Sequence, residues 1–236
     1  VFAAAVADDE NFHGNQERHC RKHTAPGQPC SPIPPAEVAL ATPSTEGYSF
    51  PVKFDSDMVF DVVAKRLPEE GVDCIMIGGH AVNHYGVTRA TQDIDFMIAA
   101  ADEPVVRAIM QENGFTNIAT QENVVFFNKS NSSLRIDFLK VDRSTMDKLM
   151  LHAVCIEYFG GHRVNVPSLH DLLAMKIFAM NHGGARRQDK DMRDIVNLVV
   201  ANKIDVETDL QKLCVSFGND RLFQSLRKSI EECRHD

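Results

Sequence analysis

Two hydrophobic periods divide the chain. Met58, Val59, Val62, Val63 and Leu67 recur at helical spacing until Pro68 interrupts them, which predicts a helix ahead of the first strand. The run VDCIMIGG (Val72 to Gly79) then reads as a buried strand, HAVNHYG as a short helix, and DIDFMIAA as a second strand with alternating faces. A helix is predicted over Asp102 to Asn113, and strands over Val124 to Asn128 and Leu134 to Lys140, with NGF and KSNSS as turns. Cys155 to Val166 reads as a hairpin turning at Gly160-Gly161. Beyond Pro167 the pattern is helical throughout: Ser168 to Asn181, Asp189 to Asn202, Val206 to Phe217 and Asp220 to Cys233, with no internal repeat. The expected fold class is α+β, a small mixed β-sheet with flanking helices and a C-terminal helical unit.

The first 50 residues differ in kind. They hold six of the ten prolines but a single leucine, Leu40, and a single isoleucine, Ile33, too little apolar surface to offset the entropy of ordering. The expected organisation is therefore a flexible Pro-rich tail over 1–50, a core over 51–166 and a helical region over 167–236. His19, Cys20, His23 and Cys30 in the tail match no standard zinc spacing and are given no chemistry. The chain opens on Val1, and VFAAAVADDE resembles the end of a signal peptide, yet no charged start precedes it and secretion is not expected.

Charge and cysteines narrow the setting. A net charge of −8 argues against nonspecific coating of nucleic acid, while a local basic groove for a structured RNA stays open. Six cysteines without a CxxC pair suit reduced thiols in a cytoplasm, the expected location. No apolar run approaches the ~20 residues that span a bilayer, so no membrane partner is expected.

The second strand carries the chemistry. Asp93 and Asp95 alternate with Ile94 and Phe96, so both carboxylates share one face while the apolar pair enters the core. Carboxylates drawn out of water need compensation, and a third, Asp137 in LRIDFLK, stands in a strand that could lie beside them. Oxygen donors of this kind suit Mg2+ or Mn2+. Gly78 and Gly79, where strand becomes helix, would let a phosphate approach backbone N–H groups. Two ions beside a phosphate are the arrangement used in phosphoryl and nucleotidyl transfer.

The order IMIGG, DIDFM and IDF resembles the nucleotidyltransferase superfamily related to DNA polymerase β. Within it, GGHAVNHYGVTRATQDID looks most like the AbiEii-type toxin branch, with Arg89 and Thr91 at the places where the branch carries an arginine and a threonine. A downstream helix with a lysine, then an arginine and K/R-D-x-x-D, is matched by Lys176, Arg187, Lys190, Asp191 and Asp194; the likeness covers roughly Gly71 to Val200. It implies a nucleotidyltransferase core and transfer of a nucleoside monophosphate from an NTP. Asp93 and Asp95 would be metal ligands, Asp137 a third ligand or base, and Lys176 a contact to the triphosphate. Gly78, Gly79, Arg89, Thr91, Arg187, Lys190, Asp191 and Asp194 would bind nucleotide. Asp191 and Asp194, one turn apart, would bind the acceptor, orient the lysine or pair with arginines. Leu169, Leu172, Leu173, Lys176 and Met180 fall on one helical face, which sets an ammonium among core residues. His80, His84, His170 and His182 are read as structural.

Many relatives have serine where this chain has Gly79. By analogy the acceptor would be a tRNA end, a protein hydroxyl or a small molecule, with an antitoxin protein as a further partner. A non-catalytic nucleotide- or partner-binding module on the same scaffold is the alternative. A DxD glycosyltransferase leaves the glycine pair unused.

Overall fold

The computed structural model describes residues 55–130, 132–183 and 185–235. The Pro-rich segment and its histidines and cysteines lie outside them.

A seven-stranded mixed sheet forms the centre, in the order β3-β4-β5-β2-β1-β7-β6. Its strands are β1 (Cys74–Met76), β2 (Ile94–Ala99), β3 (Phe115–Thr120), β4 (Val124–Lys129), β5 (Arg135–Val141), β6 (Val154–Tyr158) and β7 (His162–Val166). The pairs β2/β5 and β1/β7 are parallel and the rest antiparallel. Helix α1 runs from Asp55 through a π-helical turn, Val62–Arg66, to Glu69; α2 is Gly78–His84, α3 Glu103–Glu112 and α4 Arg143–His152. The helical unit is α5 (Leu169–His182), α6 (Ala185–Ala201), α7 (a π turn, Val206–Leu210, continued by Gln211–Phe217) and α8 (Asp220–His235).

Period-2 alternation sorts the strands onto two faces. Ile94, Phe96 and Ile98 join Ile136, Phe138, Val59, Phe60 and Val106 in a core beneath α1 and α3. Met97 and Ala99 face the other way, onto Ile75, Met146 and Leu149. A third core joins α5 to α8, and α2 belongs to it by packing: Ala81 and Val82 sit among Leu172, Leu173, Ile177, Ile195 and Leu198. The helix that follows the glycines thus ties the sheet to the helical unit.

The expected α+β class is the observed one, with differences of detail. The first strand is shorter than Val72 to Gly79, because Gly78 and Gly79 are already the first residues of α2. Two elements went unpredicted, strand β3 and helix α4. The hairpin turns where expected, Gly160 and Gly161 taking φ of +72° and +80°, a region open to glycine at little cost.

No helix among the described residues is long and apolar enough to cross a membrane.

Candidate active site

The parallel β2/β5 pair sets Asp95 directly across from Asp137. Asp93 lies on the same side, immediately before β2, while Ile94 and Phe96 are fully buried on the other. The strand alternation expected for the carboxylates is the one found.

The glycines determine what can stand beside them. Gly78 has φ +64°, and a Cβ there would lie 2.0 Å from Asp95 Oδ2. Just before it, the Ile77 N–H donates to the Asp95 carbonyl at 2.8 Å, which pins the strand end to β2. A Cβ on Gly79 would meet both Cβ and Oγ1 of Thr91 at 2.8 Å. In this chain Thr91 occupies the space that a side chain at position 79 would need. The Thr91 hydroxyl donates to the Asp93 carbonyl at 3.1 Å and so braces the loop before β2.

Burial raises the pKa of Asp95 above the usual carboxylate range, and the neighbouring Asp137 and Asp93 charges push the same way; Lys190 and Arg135 oppose them. Asp137 is held differently. The Arg135 guanidinium, two residues before it on the same strand face, forks onto both of its oxygens, with Nε 2.7 Å from Oδ1 and Nη2 on Oδ2. The half-exposed Arg135 also lies over the Phe126 ring, 5.0 Å from its centroid. This ion pair went unpredicted, although an arginine at i−2 of a strand carboxylate is on the right face for it.

The helical unit supplies the remaining residues. Lys176 is buried, as its helical face predicts, and donates to Asp191 at 3.0 Å and to Asp194 at 2.6 Å. Asp194 also accepts from Arg89 at 2.7 Å. Arg89 in turn is clamped by its backbone, whose N–H and carbonyl bond the side-chain amide of Asn83 on α2 at 2.9 and 3.0 Å. Of the three roles expected for Asp191 and Asp194, the contacts present are to the lysine and, for Asp194, to Arg89. Lys190 is exposed, and its charge acts on Asp95. The side chain of Arg187 lies outside the described residues.

Among the histidines, His80 Nδ1 shares a 2.7 Å hydrogen bond with the Tyr158 hydroxyl, and burial lowers its pKa first, the Asp93 carbonyl opposing. His84 packs edge-on to Tyr85 and His182 stacks on Phe178.

The donor chemistry of Asp93 and Asp95 fits a hard divalent cation, and the glycine at 78 keeps Asp95 Oδ2 clear of a Cβ. A cation would also offset the carboxylate repulsion that adds to the effect of burial on Asp95. Asp137 is turned onto Arg135, and among the described residues no group of three or more His, Cys, Asp or Glu side chains is gathered to hold a metal as it stands.

Comparison with known proteins adds the family. A family model described as "Nucleotidyl transferase AbiEii toxin, Type IV TA system" matches residues 64–232. No curated protein matches. Among solved structures, the antibiotic-resistance factor ANT(2'')-Ia aligns over 76% of this chain and 97% of its own at 15% identity, with a TM-score of 0.48. An antigenic nucleotidyltransferase-like protein from Paracoccidioides brasiliensis aligns over 73% of this chain and 93% of its own, at 17% identity and a TM-score of 0.47. The lincosamide antibiotic adenylyltransferase LnuA aligns over 60% of this chain and 94% of its own, at 14% identity and a TM-score of 0.41.

Proposed function

The chain belongs to the AbiEii family of nucleotidyl transferases, and from that premise we propose that it moves a nucleoside monophosphate from an NTP to an acceptor hydroxyl or phosphate at the Asp93–Asp95–Asp137 face. An acceptor oxygen attacks the α-phosphorus, the bond to the bridging oxygen breaks, and pyrophosphate leaves with that electron pair. The observation that carries this reading is the register of Asp95 opposite Asp137, built against a glycine whose Cβ would collide with the Asp95 carboxylate.

Asp93 and Asp95 would hold Mg2+ or Mn2+, two ions once NTP is present. When bound, the metal neutralises the polyphosphate and the departing charge. Asp137 serves as third ligand or as the base that takes the acceptor proton. Exposed Lys190, with Arg187, meets the triphosphate. Buried Lys176 keeps its role toward the triphosphate only by loosening one of its two carboxylates. Gly78, Gly79 and Thr91 shape the wall against which the phosphates lie, and Arg89 secures the loop that carries Asp93.

The family description supports a toxin role with an antitoxin partner, and the acceptor would be a tRNA end, a protein or a small molecule. The deciding experiment supplies each of the four α-labelled NTPs, with Mg2+ or Mn2+, to total RNA, cell-extract protein and the protein alone, beside an Asp93→Ala/Asp95→Ala control. Label lost in the control establishes the transfer and names the acceptor class. A folded protein that binds NTP yet labels nothing overturns the enzyme in favour of a non-catalytic module. Growth arrest on expression that persists in Asp93→Ala would refute the toxin role.

A further inference from the structure

Resting on the metal reading above, we propose that Arg135 is a positioning residue that competes with the divalent cation for Asp137, so that the third carboxylate joins the metal site only when the guanidinium lets go. Three observations meet here. The guanidinium fork takes the two-point position on both Asp137 oxygens and sets a positive charge there, which opposes a cation in the same arrangement. Asp137 is nearly buried and stands opposite Asp95 on the neighbouring strand. Arg135 itself is half exposed and rests on Phe126 rather than on a core layer, so it has solvent to swing into.

The physical logic is an exchange of cations. Without a metal, three carboxylates on one face repel, and Arg135 supplies a positive charge from within the chain. A divalent ion supplies more charge, but first it must break a two-point, charge-assisted contact. Arg135 therefore stabilises the metal-free protein and weakens metal binding together, as linkage requires. Guanidinium geometry matters as well as charge, because only the planar fork engages both oxygens; a lysine ammonium is a point charge on a flexible stem.

The test is Mn2+ binding to the full chain without nucleotide, followed by electron paramagnetic resonance of the free ion, for wild type, Arg135→Gln, Arg135→Lys, Asp137→Asn and Asp93→Ala/Asp95→Ala. Circular dichroism and urea unfolding check that each variant folds. The expected result is Mn2+ affinity about fivefold or more tighter in Arg135→Gln, the scale of a half-exposed charged contact. Arg135→Lys should recover at least half of that gain although its charge is kept, and Asp137→Asn should abolish the gain when combined with Arg135→Gln. Equal affinity in wild type and Arg135→Gln, with both losing Mn2+ in the Asp93→Ala/Asp95→Ala background, overturns the competition and leaves the metal reading standing. A gain in Arg135→Gln that is wholly absent from Arg135→Lys also overturns it, since charge alone then explains the effect. Failure of every variant and the wild type to bind Mn2+ overturns the metal reading, and this inference with it.

Discussion

Gly78→Ala tests whether the glycine is there for the carboxylate or only for its own backbone, because α2 offers a control at its other end. Gly78 and Gly86 both have positive φ, +64° and +82°, but a Cβ at Gly86 meets nothing within 4 Å whereas at Gly78 it lies 2.0 Å from Asp95 Oδ2 and 2.7 Å from its Cγ. Gly86→Ala should therefore cost only the left-handed backbone penalty, about 1–2 kcal/mol. Gly78→Ala adds the displacement of a packed neighbour, about 1–3 kcal/mol more, for a total of about 2–5 kcal/mol, a large share of the roughly 5–15 kcal/mol that holds a domain together. Urea unfolding of the two variants measures the difference directly. The larger loss in Gly78→Ala should be joined by a shifted Asp95, so nucleotide binding should fall in Gly78→Ala and hold in Gly86→Ala. Equal unfolding free energies for the two variants, with nucleotide binding intact in both, would refute the close approach of Gly78 to Asp95.

Asp95 and Asp142 should give opposite pH responses. Folding raises the Asp95 pKa, chiefly by burial, so the folded protein holds that proton more tightly than the unfolded chain, and stability falls as pH rises through the raised value. With a chelator present, Asp95→Asn should then match the wild type in acid and exceed it at neutral pH; a gap that shrinks with rising pH would refute the assignment. Asp142 caps α4 by accepting from the Thr145 N–H at 3.0 Å and from the Ser144 and Thr145 hydroxyls, which pull its pKa down to about 2. Asp142→Ala should cost about 1 kcal/mol at pH 7, and the difference from wild type should shrink as pH falls through about 2; a constant offset across pH would show that the cap does not depend on the charge.

How far the sequence could be read depended on where the information was local. The face shared by Asp93 and Asp95 follows from alternation within six residues, and the turn at Gly160-Gly161 from two residues that tolerate positive φ. Strand β3 escaped because FTNIAT lies at the sheet edge with a register shift between Thr116 and Ala119, so its alternation is broken. Helix α4 has a weak apolar stripe, and its one clear signal was Asp142 in the capping position three residues before Thr145. Arg89 and Asp194 stand 105 residues apart, and only the packing of α2 against α5 and α6 brings them together. Periodicity can place each of them on a face, but not opposite one another.

That packed joint decides what Lys176 does. Two cations, Lys176 and Arg89, face two carboxylates, Asp191 and Asp194, with Asp194 shared between the cations. Removing Lys176 strips Asp191 of its cation while Asp194 keeps Arg89, and removing Asp194 strips Arg89 while Lys176 keeps Asp191. Each loss is therefore at most the roughly 3–5 kcal/mol of an unpaired buried charge, whereas removing both members of a pair can be close to neutral. Lys176→Met and Asp194→Leu should thus each be strongly destabilising, and the double variant less so than their sum by roughly 1–3 kcal/mol in a double-mutant cycle. Because Arg89 lies four residues before Asp93, the same coupling should reach the site: Asp194→Leu loosens the loop and weakens nucleotide binding even though Asp194 lies on the helical unit. Additive unfolding free energies would mean that the ammonium and the carboxylate do not depend on each other. Lys176 would then be free to meet a triphosphate without first releasing a partner.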